Sequence, residues 1–527
     1  MKKYIKIVAL SSLFVLGACS SDFLENEPYT EKVASNFYKT PKDAFEGLVA
    51  VYDVLQRDEY GSPLLISEQA SDNCFGGYGN ADAQNDLEWD RFLFVADKDM
   101  NKNAWKTPYQ GIYRANILLA NLDKVDWGTE TALKTKYEAE ARFLRAHFHF
   151  QLAKMFGDVV AVDKQLSPDE LYAPRVSPEV TYALIANDLK FAADNLGNDN
   201  YSQPGNPNYG RITKWAAEAY IARTFLFYTD YYKKADLAGV VSKAQAAAYI
   251  NDAVNNSGHD LVPNFANLWL AASLENFVGE GNTEMVWAVR YNSSGKGDWN
   301  LHEGNRFQVL IAPRGGAIGR YATGWGGATV NEKLYKAYGD GDTRRDATII
   351  NFEGEGLDFD PDPTARDQRQ YTGYAWKKYC PITDAAGKAI VEIKGGNFQI
   401  DNYQDFAVFR FSDILLMAAE LNLGTNTGFA QTCLDRVRDR AYQDATHRLS
   451  VTKDVIMNER RLEFALEGQR YFDLIRQGMN VAKAAIDNVS DDPQFNVTFR
   501  SETLGWFPLP QSQVTLSNGA MTQNPGW

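Results

Sequence analysis

Arg460-Arg461-Leu462-Glu463-Phe464-Ala465-Leu466-Glu467-Gly468-Gln469-Arg470-Tyr471-Phe472-Asp473-Leu474-Ile475-Arg476 is the stretch whose reading decides the fold. Glu459, Glu463 and Glu467 recur every four residues, the spacing of one helix face, with Arg460 and Arg470 within reach of them. Leu462, Leu466, Phe472 and Ile475 line the apolar side. Paired charges that flank a buried stripe fix how helices meet. The block therefore reads as architecture and not as a binding site, inside a helix expected over 453–478.

Working outward, helical periodicity precedes it over 406–423 and 428–442. It dominates a second region through 41–55, 104–122, 131–155, 178–196, 212–232 and 243–255. Thr40 stands as an N-cap, and Ser177-Pro178 is a cap followed by a first-turn proline. The starts near Ser177 and Arg211 lie 34 residues apart, the tetratricopeptide period, and Trp215, Ala219, Ala222 and Phe225 supply large and small residues for helix-pair packing. Over 261–404 the composition shifts to glycine, aromatic and turn residues, as in Gly297-Asp298-Trp299 and Arg314-Gly315-Gly316, with short β-like pieces at 285–291 and 389–393. The expected fold is mostly α: a tetratricopeptide-like solenoid completed by the C-terminal helices, carrying a loop-rich second lobe with short strands.

Lys2, Lys3 and Lys6 precede a short apolar run from Ile7 to Leu16, which reads as a secretory signal because a transmembrane helix needs roughly 20 apolar residues. Leu16-Gly17-Ala18-Cys19 has the form of a lipobox, so acylation of Cys19 is expected to anchor the chain, at about 0.8 kcal/mol per buried methylene. Ser20, and not Asp, follows it, so the usual inner-membrane retention signal is missing and the outer membrane is the expected destination. Asp22, Glu25 and Glu27 supply acidic residues next to the anchor. The expected organisation is a signal peptide over 1–18, a tether over 19–40, a helical region over 41–260, the inserted lobe over 261–404, and closing helices with a terminal segment over 405–527.

The 527 residues carry a net charge of −14, about −17 once the signal lysines are gone, which disfavours nucleic acid and suits a neutral ligand. Of four cysteines, Cys19 is assigned to lipid. Cys74, Cys380 and Cys433 remain, an odd number that indicates no disulfide framework. Cys433 reads as core, and a Cys74–Cys380 bridge is left open.

The opening block resembles the "ERR-EF-EG-R-DL-R" helix of the SusD/RagB family. Further blocks follow in family order: Asp22-Phe23-Leu24, Glu140-Ala141-Arg142-Phe143-Leu144-Arg145-Ala146 leading to Phe156-Gly157-Asp158-Val159, and Gly210-Arg211-Ile212-Thr213. Arg410 to Glu420, Phe507-Pro508-Leu509-Pro510 and Gln523-Asn524-Pro525-Gly526 complete the series. The resemblance implies a surface-exposed outer-membrane lipoprotein that captures an oligo- or polysaccharide for a SusC-like TonB-dependent transporter. Binding without catalysis and without a cofactor is part of that expectation, with the solenoid side on the transporter and the loop face on the ligand.

The residues themselves show no Gly-x-Ser-x-Gly elbow or P-loop, and His147 and His149 lie two apart, on nearly opposite sides of a helix, which is not the spacing of a helical zinc site. With 68 acidic residues, including Asp86, Glu88 and Asp90 in alternation, a lipid-anchored glycoside hydrolase is one alternative. RagB-type peptide capture is the other. Glycan capture needs flat aromatic faces and a few polar groups. Trp105 and Trp215, in helices, read as core. Phe75, Tyr78 and Trp89 in one turn-rich segment and Tyr291, Trp299, Tyr321 and Trp325 in the lobe are the candidate stacking residues, with Asp72, Asn73 and Arg91 as polar partners. Trp89 and Trp325 are expected to form facing parts of one surface.

Overall fold

A computed structural model describes residues 37–57, 63–82, 86–94, 99–200, 206–292, 297–357, 367–487 and 495–527. Cys19 and the signal region lie outside them. The helical scaffold consists of α1 (Pro41–Tyr52), α2 (Lys102–Asn121), α3 (Thr131–Phe156), α4 (Pro178–Asn195), α5 (Lys214–Tyr232) and α6 (Lys243–Asn256). Thr40 begins α1 with a capping box to Asp43, Thr213 caps α5, and Ser242 forms a capping box with Gln245. Ser177 takes the extended cap conformation and Pro178 the first turn, but its hydroxyl makes no capping bond.

Each helix from α2 to α6 packs on the next, and α7 (Phe411–Leu421) then packs on α6, with α8 (Thr427–Tyr442) against α7. The C-terminal helices thus continue a stack begun more than 150 residues earlier. At its centre α5 is buried from Trp215 through Tyr228 on almost every side, which is why its sequence is apolar all round. Among the described residues no helix is long and apolar enough to cross a membrane.

Three local expectations are corrected. The stretch 406–423 is not one helix: β2 (Phe406–Arg410) pairs antiparallel with β1 (Met285–Val289) before α7 begins. Phe409 and Ala407 find their buried surroundings through that pairing, and tertiary packing overrides the helical pattern. The stretch 453–478 splits into α9 (Lys453–Glu463) and α10 (Arg470–Gln477), because Leu466 and Gly468 take positive φ (66° and 75°). A side chain at Gly468 would lie 2.5 Å from the Leu64 Cα, so only glycine permits this close crossing. The piece 389–393 contains a single helical turn, Ile390–Ile393, and not a strand.

The charged block is architectural, through partners the spacing did not show. Arg344, Lys378, Arg410, Arg438 and Arg440 meet Glu284, Asp342, Glu459, Glu463 and Glu467, five cations against five carboxylates, all buried. They come from the lobe, from the end of β2, from α8 and α9 and, for Glu467, from the turn between α9 and α10, so the network locks the lobe onto the closing helices. Arg460 pairs with Asp413 and Asp473, and Arg470 with Asp72, instead of with the glutamates of their own block.

The histidines and cysteines are core groups. His147 Nδ1 meets the Tyr220 hydroxyl at 3.0 Å, while His149 Nδ1 meets the Arg145 carbonyl and its Nε2 accepts from the Val162 N–H. Burial pushes both imidazoles down to about 3. Cys74, Cys380 and Cys433 are free, buried thiols, which closes the question of a Cys74–Cys380 bridge.

Candidate functional site

The two aromatic loop groups do adjoin. The chain from Asn73 to Tyr78 runs antiparallel to 326–331: the Phe75 N–H donates to the Thr329 carbonyl (2.9 Å), Tyr78 N–H to that of Gly326 (2.8 Å), and Asn331 N–H to that of Asn73 (2.8 Å). Gly77 has φ 74°, and any side chain there would meet the Gly326 oxygen at 2.5 Å.

Most of the expected stacking aromatics are nevertheless shut away from solvent. Phe75 lies against Phe495 (ring centroids 4.9 Å apart), and the Tyr78 ring covers Gly327. Tyr321, fully buried, donates its hydroxyl to Glu355 (2.7 Å). Trp89 is not on a loop: it belongs to the short helix Asp86–Arg91, is 3% exposed, and donates its indole N–H to Asn101 Oδ1 (3.0 Å). The polar candidates Asp72 and Asn73 are also buried, Asp72 between Arg470 and Arg461 and Asn73 donating to Glu68. These six are corrected from ligand contacts to core. Each aromatic side chain has 150–250 Å² to hide, and a second loop within reach offers that shelter as readily as a helix does.

Beside Trp89, Asp90 accepts a 2.6 Å hydrogen bond from Gln370. Burial pushes its carboxyl up to about 7 against the opposing Gln370 and Gly76 hydrogen bonds and the Arg91 charge. A raised folded pKa means stability that is present at low pH and lost as pH rises through 7. Between pH 5 and pH 8 the wild-type protein should lose on the order of 2 kcal/mol relative to Asp90→Asn, measured by chemical denaturation. A constant difference across that range would show that the carboxyl does not titrate there.

Of the remaining candidates, Trp299 is 44% exposed, Arg91 is exposed, and Tyr291 and Trp325 are half-buried. Trp325 stays with the Gly326–Val330 layer, its N–H donating to the Val309 carbonyl (2.8 Å), and Gly324 beside it bridges to Arg314. Tyr291 stands at a cleft. The β1–β2 ribbon ends at the Val289–Phe406 pair, and the residues just beyond it, Arg290, Tyr291 and Asn292 on one side and Tyr403 and Asp405 on the other, line a cavity of 440 Å³ with Tyr209, Glu280 and Lys394.

Arg290 organises the cleft. Its guanidinium lies 3.9 Å from the Tyr209 ring centroid, donates to the Tyr209 hydroxyl (2.6 Å) and pairs with Asp405, whose other oxygen accepts the Tyr291 N–H (2.9 Å). Gln56, just beyond α1, donates to the Arg290 carbonyl (2.6 Å) and ties this arrangement to the scaffold. Lys394 caps the Tyr403 ring at 4.1 Å. Burial, followed by the Asp405 charge, raises the Glu280 carboxyl well above the usual range against Arg290. Burial likewise pushes the Tyr209 phenol up to about 12, so it stays a neutral donor. Trp299 belongs to the adjoining loop, held by Arg306 Nη2 donating to its carbonyl (2.8 Å) and by the Gly297 N–H donating to Asp401. Three tyrosine rings, a neutral phenol and an amide suit a polyhydroxylated ring that offers C–H faces and hydroxyls.

Tyr209 and Tyr403 escaped the sequence reading. The signal was present in Asn206-Pro207-Asn208-Tyr209-Gly210 and Asp401-Asn402-Tyr403, aromatics in asparagine-rich turns like those chosen.

Two family models match this chain: the SusD family over residues 283–527, and "starch-binding associating with outer membrane" over 22–226. This chain belongs to the SusD/RagB family. Among its relatives, a SusD-like protein of Bacteroides ovatus is 26% identical over 491 residues, covering 90% of this chain and 82% of that one. Among solved structures, a laminarin binding SusD-like protein is 27% identical with a TM-score of 0.76, covering 93% of this chain and 100% of that one. Surface glycan-binding protein A from Bacteroides thetaiotaomicron, in complex with laminarihexaose, is 25% identical with a TM-score of 0.76, over 92% of this chain and 100% of that one. The mostly helical, tetratricopeptide-like scaffold of this SusD-like chain is the fold it shares with them.

Proposed function

We propose that this SusD-like chain is a cell-surface lipoprotein that captures an oligo- or polysaccharide and hands it to a SusC-like TonB-dependent transporter, without cleaving it. The observation that carries this reading is the likeness to the laminarin- and laminarihexaose-binding structures along nearly the whole chain, supported by a tyrosine-lined cleft suited to sugar rings. In this reading residues 1–18 are the signal peptide and Cys19 carries the lipid. The ligand stacks on Tyr291 and Tyr403, with Trp299 extending the surface and Trp325 and Arg91 as further contacts.

Laminarihexaose is the first ligand to titrate. Tyr291→Ala and Tyr403→Ala should each weaken binding by about 2 kcal/mol, roughly thirtyfold, with melting curves close to wild type. Wild-type affinity in both variants would move the site elsewhere on the loop face. Incubating the protein with its glycan and assaying new reducing ends tests the absence of catalysis, and their appearance would favour a hydrolase. Cys19→Ala should release the protein from the membrane fraction, because the acyl chains are its proposed attachment. An undiminished outer-membrane pool would refute the anchor.

A further inference from the structure

Two cations, Arg290 and Lys394, and two carboxylic acids, Asp405 and Glu280, line the tyrosine cleft, and their charges do not balance. Asp405 is fully engaged, with one oxygen on the Arg290 guanidinium and the other on the Tyr291 N–H. Burial, followed by the Asp405 charge, pushes the Glu280 carboxyl up and favours its neutral form near pH 7. Lys394 is left over. It is exposed, it forms no ion pair among the described residues, and its ammonium rests 4.1 Å from the centroid of the Tyr403 ring. Asn292, also exposed, adds a side-chain amide to the same wall.

Resting on the glycan site proposed for this cleft, we infer that the glycan it captures bears an anionic substituent, a carboxylate or a sulfate, which pairs with Lys394. A sugar that stacks on the face of Tyr403 covered by Lys394 must displace the ammonium from it. A neutral sugar leaves the displaced cation to water. An anionic one gives it a charge-assisted hydrogen bond in exchange for the ring, and the flexible four-carbon stem of a lysine lets the ammonium follow the substituent. The net charge of −14 does not oppose this, because at physiological salt exposed charges beyond about 8 Å are largely screened, so the groups lining the cleft set its local sign.

Calorimetric titration of the purified protein at low and at high salt compares neutral laminarihexaose with hexagalacturonate, hexamannuronate and a sulfated galactan hexasaccharide. At low salt one of the acidic probes should bind about tenfold more tightly than laminarihexaose, the uronates or the sulfated probe telling which substituent is read, and high salt should erase the difference. Lys394→Gln should bring that probe and laminarihexaose within about twofold of each other, while Lys394→Arg should keep the preference. Laminarihexaose binding as tightly as every acidic probe would overturn the anionic assignment and leave the glycan reading of the cleft standing. A preference untouched by Lys394→Gln would overturn the pairing with Lys394. Binding of no probe at all would overturn the cleft as a glycan site, and the anionic assignment with it.

Discussion

Glu463→Ala should lower the stability of the protein by about 3–5 kcal/mol, the cost of removing one member of a buried ion network. Glu463 accepts from Arg344 (3.0 Å), Arg410 (2.8 Å) and Arg440 (2.6 Å), and none of these side chains is appreciably exposed. Burial alone would raise its carboxyl; the guanidiniums of Arg440, Arg410 and Arg344 outweigh that and hold it well below the usual range. Removing the carboxylate leaves Arg344 its bonds to Asp342 and Glu459, but Arg410 and Arg440 then share Glu284 and Glu467 alone. The junction between lobe and closing helices loses its central charge. Thermal and urea unfolding of the variant measure the loss, and glycan affinity per folded molecule should stay within a few-fold of wild type. An unaltered unfolding curve would show that the network does not hold the junction.

Trp89→Ala should behave as a core deletion, costing about 3–5 kcal/mol of stability while leaving the cleft intact. Its indole is enclosed, and its N–H is spent on Asn101, which in turn donates to the Pro508 carbonyl near the C-terminus (3.0 Å). Truncation would create a cavity and free the Asn101 oxygen in one step. Unfolding curves and laminarihexaose titration, run together, separate this from a ligand-stacking role: loss of affinity with a wild-type melt would return Trp89 to the site.

The comparison of Trp89 with Trp215 shows where sequence reading succeeds. Trp215 sits in α5, a long periodic helix, and its burial follows from its place in that pattern. The same holds for the starts of α1, α5 and α6, where Thr40, Thr213 and Ser242 accept from backbone N–H groups three residues away. Such features need only local contacts, and a local chain carries the information for them. The helix interruption at Leu466 and Gly468 was harder to see, because Gly468 is required by Leu64, some 400 residues distant in sequence.

The candidate site was legible only as a composition. Glycine- and asparagine-rich loops with aromatics pointed to the region where Tyr291 lines the cleft, with Trp299 on the adjoining loop. Phe75, Tyr78 and Tyr321 share that composition and are buried. By itself the sequence determined the helical scaffold, the charged block's structural role and the family, all of which rest on periodicity and on the order of short blocks. Only the tertiary structure decided which loop aromatics face solvent and which carboxylate each arginine holds. Both depend on segments hundreds of residues apart, such as Gly77 beside Gly327 and Asp72 beside Arg470, where burial is set by the neighbour that arrives and not by the residues that receive it.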